Sequence, residues 1–142
     1  MNFMSLFFSF NGRIRRSHFW LAAIGLMIAN AVVSSLTLMP AITAAAASGD
    51  PSASAAALAS PMALLYWVWA LAMFWPSLAL DIKRCHDRNR SGWFLLLGFI
   101  PLVNLWVLVE LLFLDGTPGP NRFGPSPKGL GGPAAVEGAP PV

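Results

Sequence analysis

The densest run of ionisable side chains is Asp81-Ile-Lys-Arg-Cys-His-Asp-Arg-Asn-Arg-Ser-Gly-Trp93. Within it His86 adjoins Asp87, residue types that perform acid/base chemistry when a carboxylate orients an imidazole. Adjacent residues do not face each other on a helix, however, and neither a nucleophile nor a ligand set accompanies the pair. If the run is helical, Lys83 and Asp87 lie one turn apart, as do Arg84 and Arg88. One face then pairs internally while the other meets phosphates. The plainest reading is that these residues fix membrane topology and reach toward headgroups. The sharper one is a defined anionic-lipid or partner site made of Arg84, His86, Asp87, Arg88 and Arg90, with Arg13 and Arg16 from an earlier basic cluster and Arg122 from a later segment.

Three further polar residues fall inside apolar stretches: Asn30, Asn104 and Glu110. An amide in hydrocarbon does best by bonding to another helix, so the two asparagines are expected to pack helices. Glu110 lies about a turn inside the end of its stretch, where a carboxylate still reaches water, although an intramembrane acid is by default a functional candidate. With one cysteine, Cys85, and two histidines, His18 and His86, the chain lacks an intrachain disulfide and the usual zinc or haem ligand sets. No metal, no cofactor and no catalytic residue are expected.

The elements that must position these groups are apolar. Of 142 residues, 56% are hydrophobic and 11% charged, far below the roughly 25% charged of soluble domains. Residues 17–49, 51–80 and 91–109 contain no Asp, Glu, Lys or Arg. Each can supply the roughly 20 apolar residues that a helical span requires. The expected fold is all-α and membrane-embedded, with segments at about 19–39, 62–80 and 93–114 in one domain, 1–128. A disordered Gly/Pro/Ala-rich tail is expected over 129–142. Phe3, Leu6, Phe7, Phe10 and Ile14 recur at helical spacing, the pattern of an amphipathic stretch lying in the interface, and Asn11-Gly12 ends it with a turn. Residues 41–60, nearly all Ala and Ser, read as a low-complexity connector. Pro76 is expected to kink the second segment near its end. The first apolar run is longer than a signal peptide's core, so it is expected to remain as an anchor.

Basic residues set the orientation. Arg13, Arg15 and Arg16 precede the first segment, and Lys83, Arg84, Arg88 and Arg90 follow the second, which places the N-terminus and that loop in the cytoplasm. The third segment is ambiguous. Its 22-residue length suits a full crossing, which is the expectation here. Pro101 and Asn104 near its middle suit instead the tip of a re-entrant hairpin, which would bring Arg122 and Lys128 back to the cytoplasmic side. Gly116-Thr-Pro-Gly-Pro-Asn-Arg-Phe-Gly-Pro-Ser-Pro127 has Gly and Pro at spacings that demand tight turns, so a structured loop is expected there.

Three blocks resemble one family: residues 10–20, 83–93 and 116–125. They carry Phe10, Gly12, Arg13 and Arg16 with Phe19-Trp20; Arg84, His86-Asp87 and Arg90-Ser-Gly-Trp93; and Gly116-Thr-Pro-Gly-Pro-Asn-Arg-Phe-Gly-Pro125. Together they resemble the bacterial inner-membrane family known as domain of unknown function 805. The resemblance implies a bacterial inner-membrane location and no established activity, and the apolar segments make the expected location multi-pass. Cys85 stands where that family usually has Leu, Lys83 where it has Arg, and Phe123 where it has Tyr. The expected function is therefore a non-enzymatic membrane module whose cytoplasmic basic loops bind anionic lipid or a partner protein. The alternative is an oligomeric small transporter or channel component. Membrane lipids, a second copy of the chain or another membrane protein are the expected partners, and nucleic acid is not.

Overall fold

The computed structural model describes residues 3–130. The expected tail, apart from Gly129 and Leu130, falls outside the described residues. Every element among them is helical except an isolated antiparallel bridge between Asn121 and Gly124. They pack as two compact units. One comprises the described residues up to Ala23 and from Ser77 onward, the other Ile24–Pro76.

Two helices dominate, α2 (Arg16–Thr37) and α5 (Pro61–Asp87). Both grow from uncharged runs rich in Ala, Leu and Met, which lose little side-chain freedom in a helix. Each is long and apolar enough to cross a membrane. A core helix of a soluble protein would bury most of such a surface, yet only 6% of the apolar window of α2 and 22% of that of α5 are buried. Leu21, Met27, Leu36, Val68 and Leu71 all lie exposed, a surface suited to hydrocarbon rather than water.

α5 starts where Ser60 Oγ accepts the Ala63 N–H at 3.2 Å and contains Pro76. It continues well beyond the expected end at residue 80, so most of the expected polar loop is helical. A Schellman closure ends it: Arg90 N donates to Cys85 O at 2.8 Å and Asn89 N to His86 O at 3.0 Å, with Asn89 in the left-handed position at φ 58°. Before α2, the short helix α1 (Phe3–Phe8) is separated from it by the expected break, where Gly12 takes φ 91°.

The expected connector at 41–60 is instead two short helices, α3 (Met39–Ser48) and α4 (Pro51–Leu58), which pack against each other. Low complexity hid them because an Ala-rich helix shows no apolar periodicity while having the highest helix propensity. Gly49, at φ 70°, closes α3. Asp50 caps α4 by accepting from Ser52 N at 2.9 Å and Ser52 Oγ at 2.7 Å. Those bonds hold its carboxyl below the ordinary range.

The expected full third crossing is also overturned. Residues Gly92–Phe99 form a 3₁₀ helix, the chain reverses at 100–102, and α6 (Val103–Leu112) runs back beside it. Pro101 contributes no N–H, and Leu102 adopts φ 68°, ψ −44°, a conformation near the strained classic γ-turn. The arms rise only about 16 Å and 15 Å, half a bilayer's hydrocarbon thickness. Phe94 and Leu95 of one arm and Val107 and Leu111 of the other close over Cys85 of α5. The tip stays bare, with Phe99 84% and Leu102 82% exposed.

A buried charge network beneath a basic surface

The three motif blocks converge on Asp87. Arg13 donates to its Oδ1 through Nε at 3.1 Å and Nη2 at 3.0 Å, and Arg84, one turn earlier on α5, donates to Oδ2 through Nη1. Asp87 is 2% exposed and Arg84 0%. Burying such a group is tolerable only when every charge is paired and its remaining hydrogen-bonding capacity is filled. Arg84 meets that demand with carbonyls: Nε donates to Leu111 O at 2.8 Å, Nη1 also to Ile14 O at 3.5 Å, and Nη2 to Leu114 O.

The carbonyls of Leu111 and Leu114 belong to the C-terminal end of α6 and just beyond, where a helix leaves its last acceptors unpaired and its dipole is negative. The neighbouring acceptors are taken in the same way. Trp20 Nε1 donates to Leu112 O at 3.0 Å and Arg16 Nη1 to Phe113 O at 2.6 Å. Donors from the N-terminal block and from α5 thus cap the returning arm of the hairpin.

The C-terminal block is the structured loop expected from its composition. It cradles Arg13, whose Nη1 donates to Gly119 O at 2.7 Å and whose Nη2 donates to Thr117 O at 2.8 Å. It also caps the end of α5: Thr117 N donates to Asp87 O at 2.8 Å and Asn121 Nδ2 to His86 O at 2.9 Å. Asn121 and Gly124 exchange backbone bonds of 3.0 and 2.9 Å, a turn that Gly124 permits at φ 129°. The His86 ring stacks on Phe123 with centroids 3.9 Å apart, and its Nδ1 donates to Gly12 O at 3.2 Å. A carbonyl only accepts, which assigns the proton to Nδ1.

Several expectations about individual residues change accordingly. Arg13, Arg84 and Asp87 are enclosed by the protein's own chain rather than turned to headgroups. Lys83 does not pair with Asp87; fully buried, it donates to the carbonyls of Ser5 and of Leu6 (2.7 Å), fastening α1 to α5. Glu110, 1% exposed, is an ion-pair partner at the base of the hairpin, with Arg90 Nε at 3.0 Å and Arg88 Nε at 3.5 Å. Arg122 lies with the other blocks, donating to Asn89 O at 3.1 Å, where a full third crossing would have put it a bilayer away. Asn30 and Asn104 make no side-chain hydrogen bond among the described residues, and Asn104 is exposed on α6.

Around this network lie the cations left exposed: Arg15, Arg16, Arg90, Arg122 and Lys128. The exposed carboxylate among them is Asp115. Lys128 Nζ approaches its Oδ1 at 3.2 Å and Arg16 Nε at 3.7 Å. The Lys128 hydrogen bond first, and the Arg16 charge second, hold the Asp115 carboxyl below its ordinary range.

The sequence profile described as "Protein of unknown function (DUF805)" matches residues 7–125, the span that contains all three blocks. The chain belongs to this family. Two relatives from Escherichia coli (strain K12) are named inner membrane proteins: YhaI is 33% identical over 84% of this chain and 86% of its own length, and YhaH is 31% identical over 84% and 87%. "Uncharacterized protein YiiR" of the same strain is 29% identical over 87% of this chain and 89% of its own. No solved structure matches the chain. The DUF805 blocks that the resemblance rests on are thus the segments that build the network, while the Ala-rich helices α3 and α4 lie between them in the chain and outside the unit that holds them.

Proposed function

We propose that the protein is a non-enzymatic module of the bacterial inner membrane that presents a basic cytoplasmic surface to anionic lipid, the same surface that a partner protein would meet. In this reading α2 and α5 cross the bilayer, the hairpin dips part-way in from the cytoplasmic side, and the N-terminus is cytoplasmic. One observation carries it. The buried network uses Arg13, Lys83, Arg84 and Asp87 internally and leaves Arg15, Arg16, Arg90, Arg122 and Lys128 exposed around Asp115.

The hairpin strengthens the charge argument for orientation. With the third segment re-entrant, all nine basic residues of the chain fall on one side of the two crossings, the side that the positive-inside rule assigns to the cytoplasm. His86 and Asp87 are both committed to contacts within the protein, which favours binding over acid/base chemistry.

Cysteine labelling tests the arrangement. In a Cys85→Ala background, Asp50→Cys is expected to react with an impermeant maleimide in intact spheroplasts, and Ser126→Cys only after permeabilisation. Labelling of Ser126→Cys in intact spheroplasts would sink it. Lipid analysis of the purified protein tests the binding role, with enrichment of anionic over zwitterionic lipid as the expected result.

A further inference from the structure

On that basic surface, Arg15, Arg16, Ser17, Asp115 and Lys128 line an open cavity of about 230 Å³. Its cations come from opposite ends of the described chain, so their meeting is a product of the fold. Arg16 and Lys128 both lean on one oxygen of Asp115, at 3.7 and 3.2 Å. Arg15 makes no side-chain hydrogen bond or ion pair among the described residues. Three cations around one carboxylate leave the cavity with two positive charges in excess, and the Ser17 hydroxyl adds a neutral donor. A second open cavity, of about 380 Å³ and lined by Gly12, Ile14, His18 and Phe123 among others, shares Arg15 with it.

We infer that this cavity binds a phosphate group, with Arg15, Arg16 and Lys128 as its cationic ligands and Asp115 as the internal carboxylate that holds two of them in place. Guanidinium groups present paired donors that match phosphate oxygens, and an ammonium adds a point charge. The surroundings point to a lipid phosphodiester as the source. Arg16 is bonded to the carbonyl of Phe113, an exposed ring 6.4 Å from that of Trp20. Aromatic rings beside cations are characteristic of headgroup depth. The inference rests on the proposed basic surface and narrows it to one place.

The test uses the full chain in mild detergent, titrated with short-chain phosphatidylglycerol or phosphatidylcholine and followed by native mass spectrometry. Arg15→Gln removes no internal contact, so it isolates binding from folding. It is expected to weaken phosphatidylglycerol about fivefold, and Arg15→Gln with Lys128→Gln more than tenfold, given the usual contribution of one basic residue at an anionic surface. Arg122→Gln, an equal change in net charge on the same surface but outside the cavity, should cost clearly less than Arg15→Gln. If Arg15→Gln costs no more than Arg122→Gln, the site is wrong while the basic surface stands. If the unaltered chain shows no preference for phosphatidylglycerol, the proposed function fails together with the site. Inorganic phosphate that binds the unaltered chain, is weakened by Arg15→Gln and displaces the lipid would support the site with free phosphate as its source. Phosphate that leaves the lipid bound points to the lipid.

Discussion

Asp87 leaves no room for a β-carbon on Gly116: a methyl group built there would fall inside contact distance of all three carboxylate atoms. The carboxylate is pinned by Arg13 and Arg84, so it cannot yield without releasing a buried cation. Gly116→Ala is therefore expected to lower stability by on the order of 3 kcal/mol, read as thermal unfolding in detergent. Gly98→Ala, where nothing lies within 4 Å of the new atom, should stay within about 0.5 kcal/mol of the parent. Equal behaviour of the two would mean that the loop does not press on Asp87.

Asp87→Asn leaves Arg13 and Arg84 buried without a counter-charge. Alone it should cost about 3–5 kcal/mol, and combined with Arg13→Gln the losses should be strongly sub-additive, with a coupling of roughly 1–3 kcal/mol. Strictly additive losses in that double-mutant cycle would show that the first and second blocks do not touch.

Glu110 holds the two ends of the hairpin together through Arg88 and Arg90. Glu110→Gln keeps the shape and removes the charge, so roughly 1–3 kcal/mol of charge-assisted bonding is at stake. The expected signature is local: faster amide hydrogen exchange in α6 with α2 unchanged. Exchange that rises equally in both helices would count against a closure specific to the hairpin.

Asp115 gives a pH dependence whose sign follows from its partners. Because Lys128 and Arg16 favour the charged form, the folded carboxyl titrates below the ordinary aspartate range. The interaction is fully present above the unfolded value and is lost as the pH falls through the lower, folded one. Carbon-detected NMR of the carboxyl should show that depressed midpoint, and Lys128→Gln should move it upward. A midpoint that ignores Lys128→Gln would remove the ion pair from the account.

Much of the fold is legible because uncharged length and basic flanks announce α2 and α5 directly. The basic flanks likewise bring Arg13 and Asp87 to one interface, whereas the expected full crossing puts Arg122 on the opposite side. What stayed hidden depends on backbone acceptors. The bonds from Arg84, Trp20 and Arg16 to the carbonyls of residues 111–114 have no residue-type signature, since every residue offers a carbonyl. Without them, a 22-residue apolar stretch reads as a crossing despite Pro101. The role of Glu110 was masked similarly, because its cations stand 20 and 22 positions away, beyond any helical spacing. Arg15 was legible only as one of a basic cluster. Its lack of a side-chain partner among the described residues is apparent only once Arg13 and Arg16 are seen to be engaged.

The acceptors of Arg84 also impose an order on biogenesis. Besides Asp87 they are the carbonyls of Ile14, Leu111 and Leu114, so the guanidinium reaches its first acceptors soon after synthesis and its last ones only when nearly the whole described chain has emerged. During that interval the Arg84–Asp87 pair at the end of α5 is formed, but Arg84 still awaits the carbonyls of the returning arm. A chain truncated before residue 111 would therefore leave Nε and Nη2 of the buried Arg84 without their carbonyl acceptors.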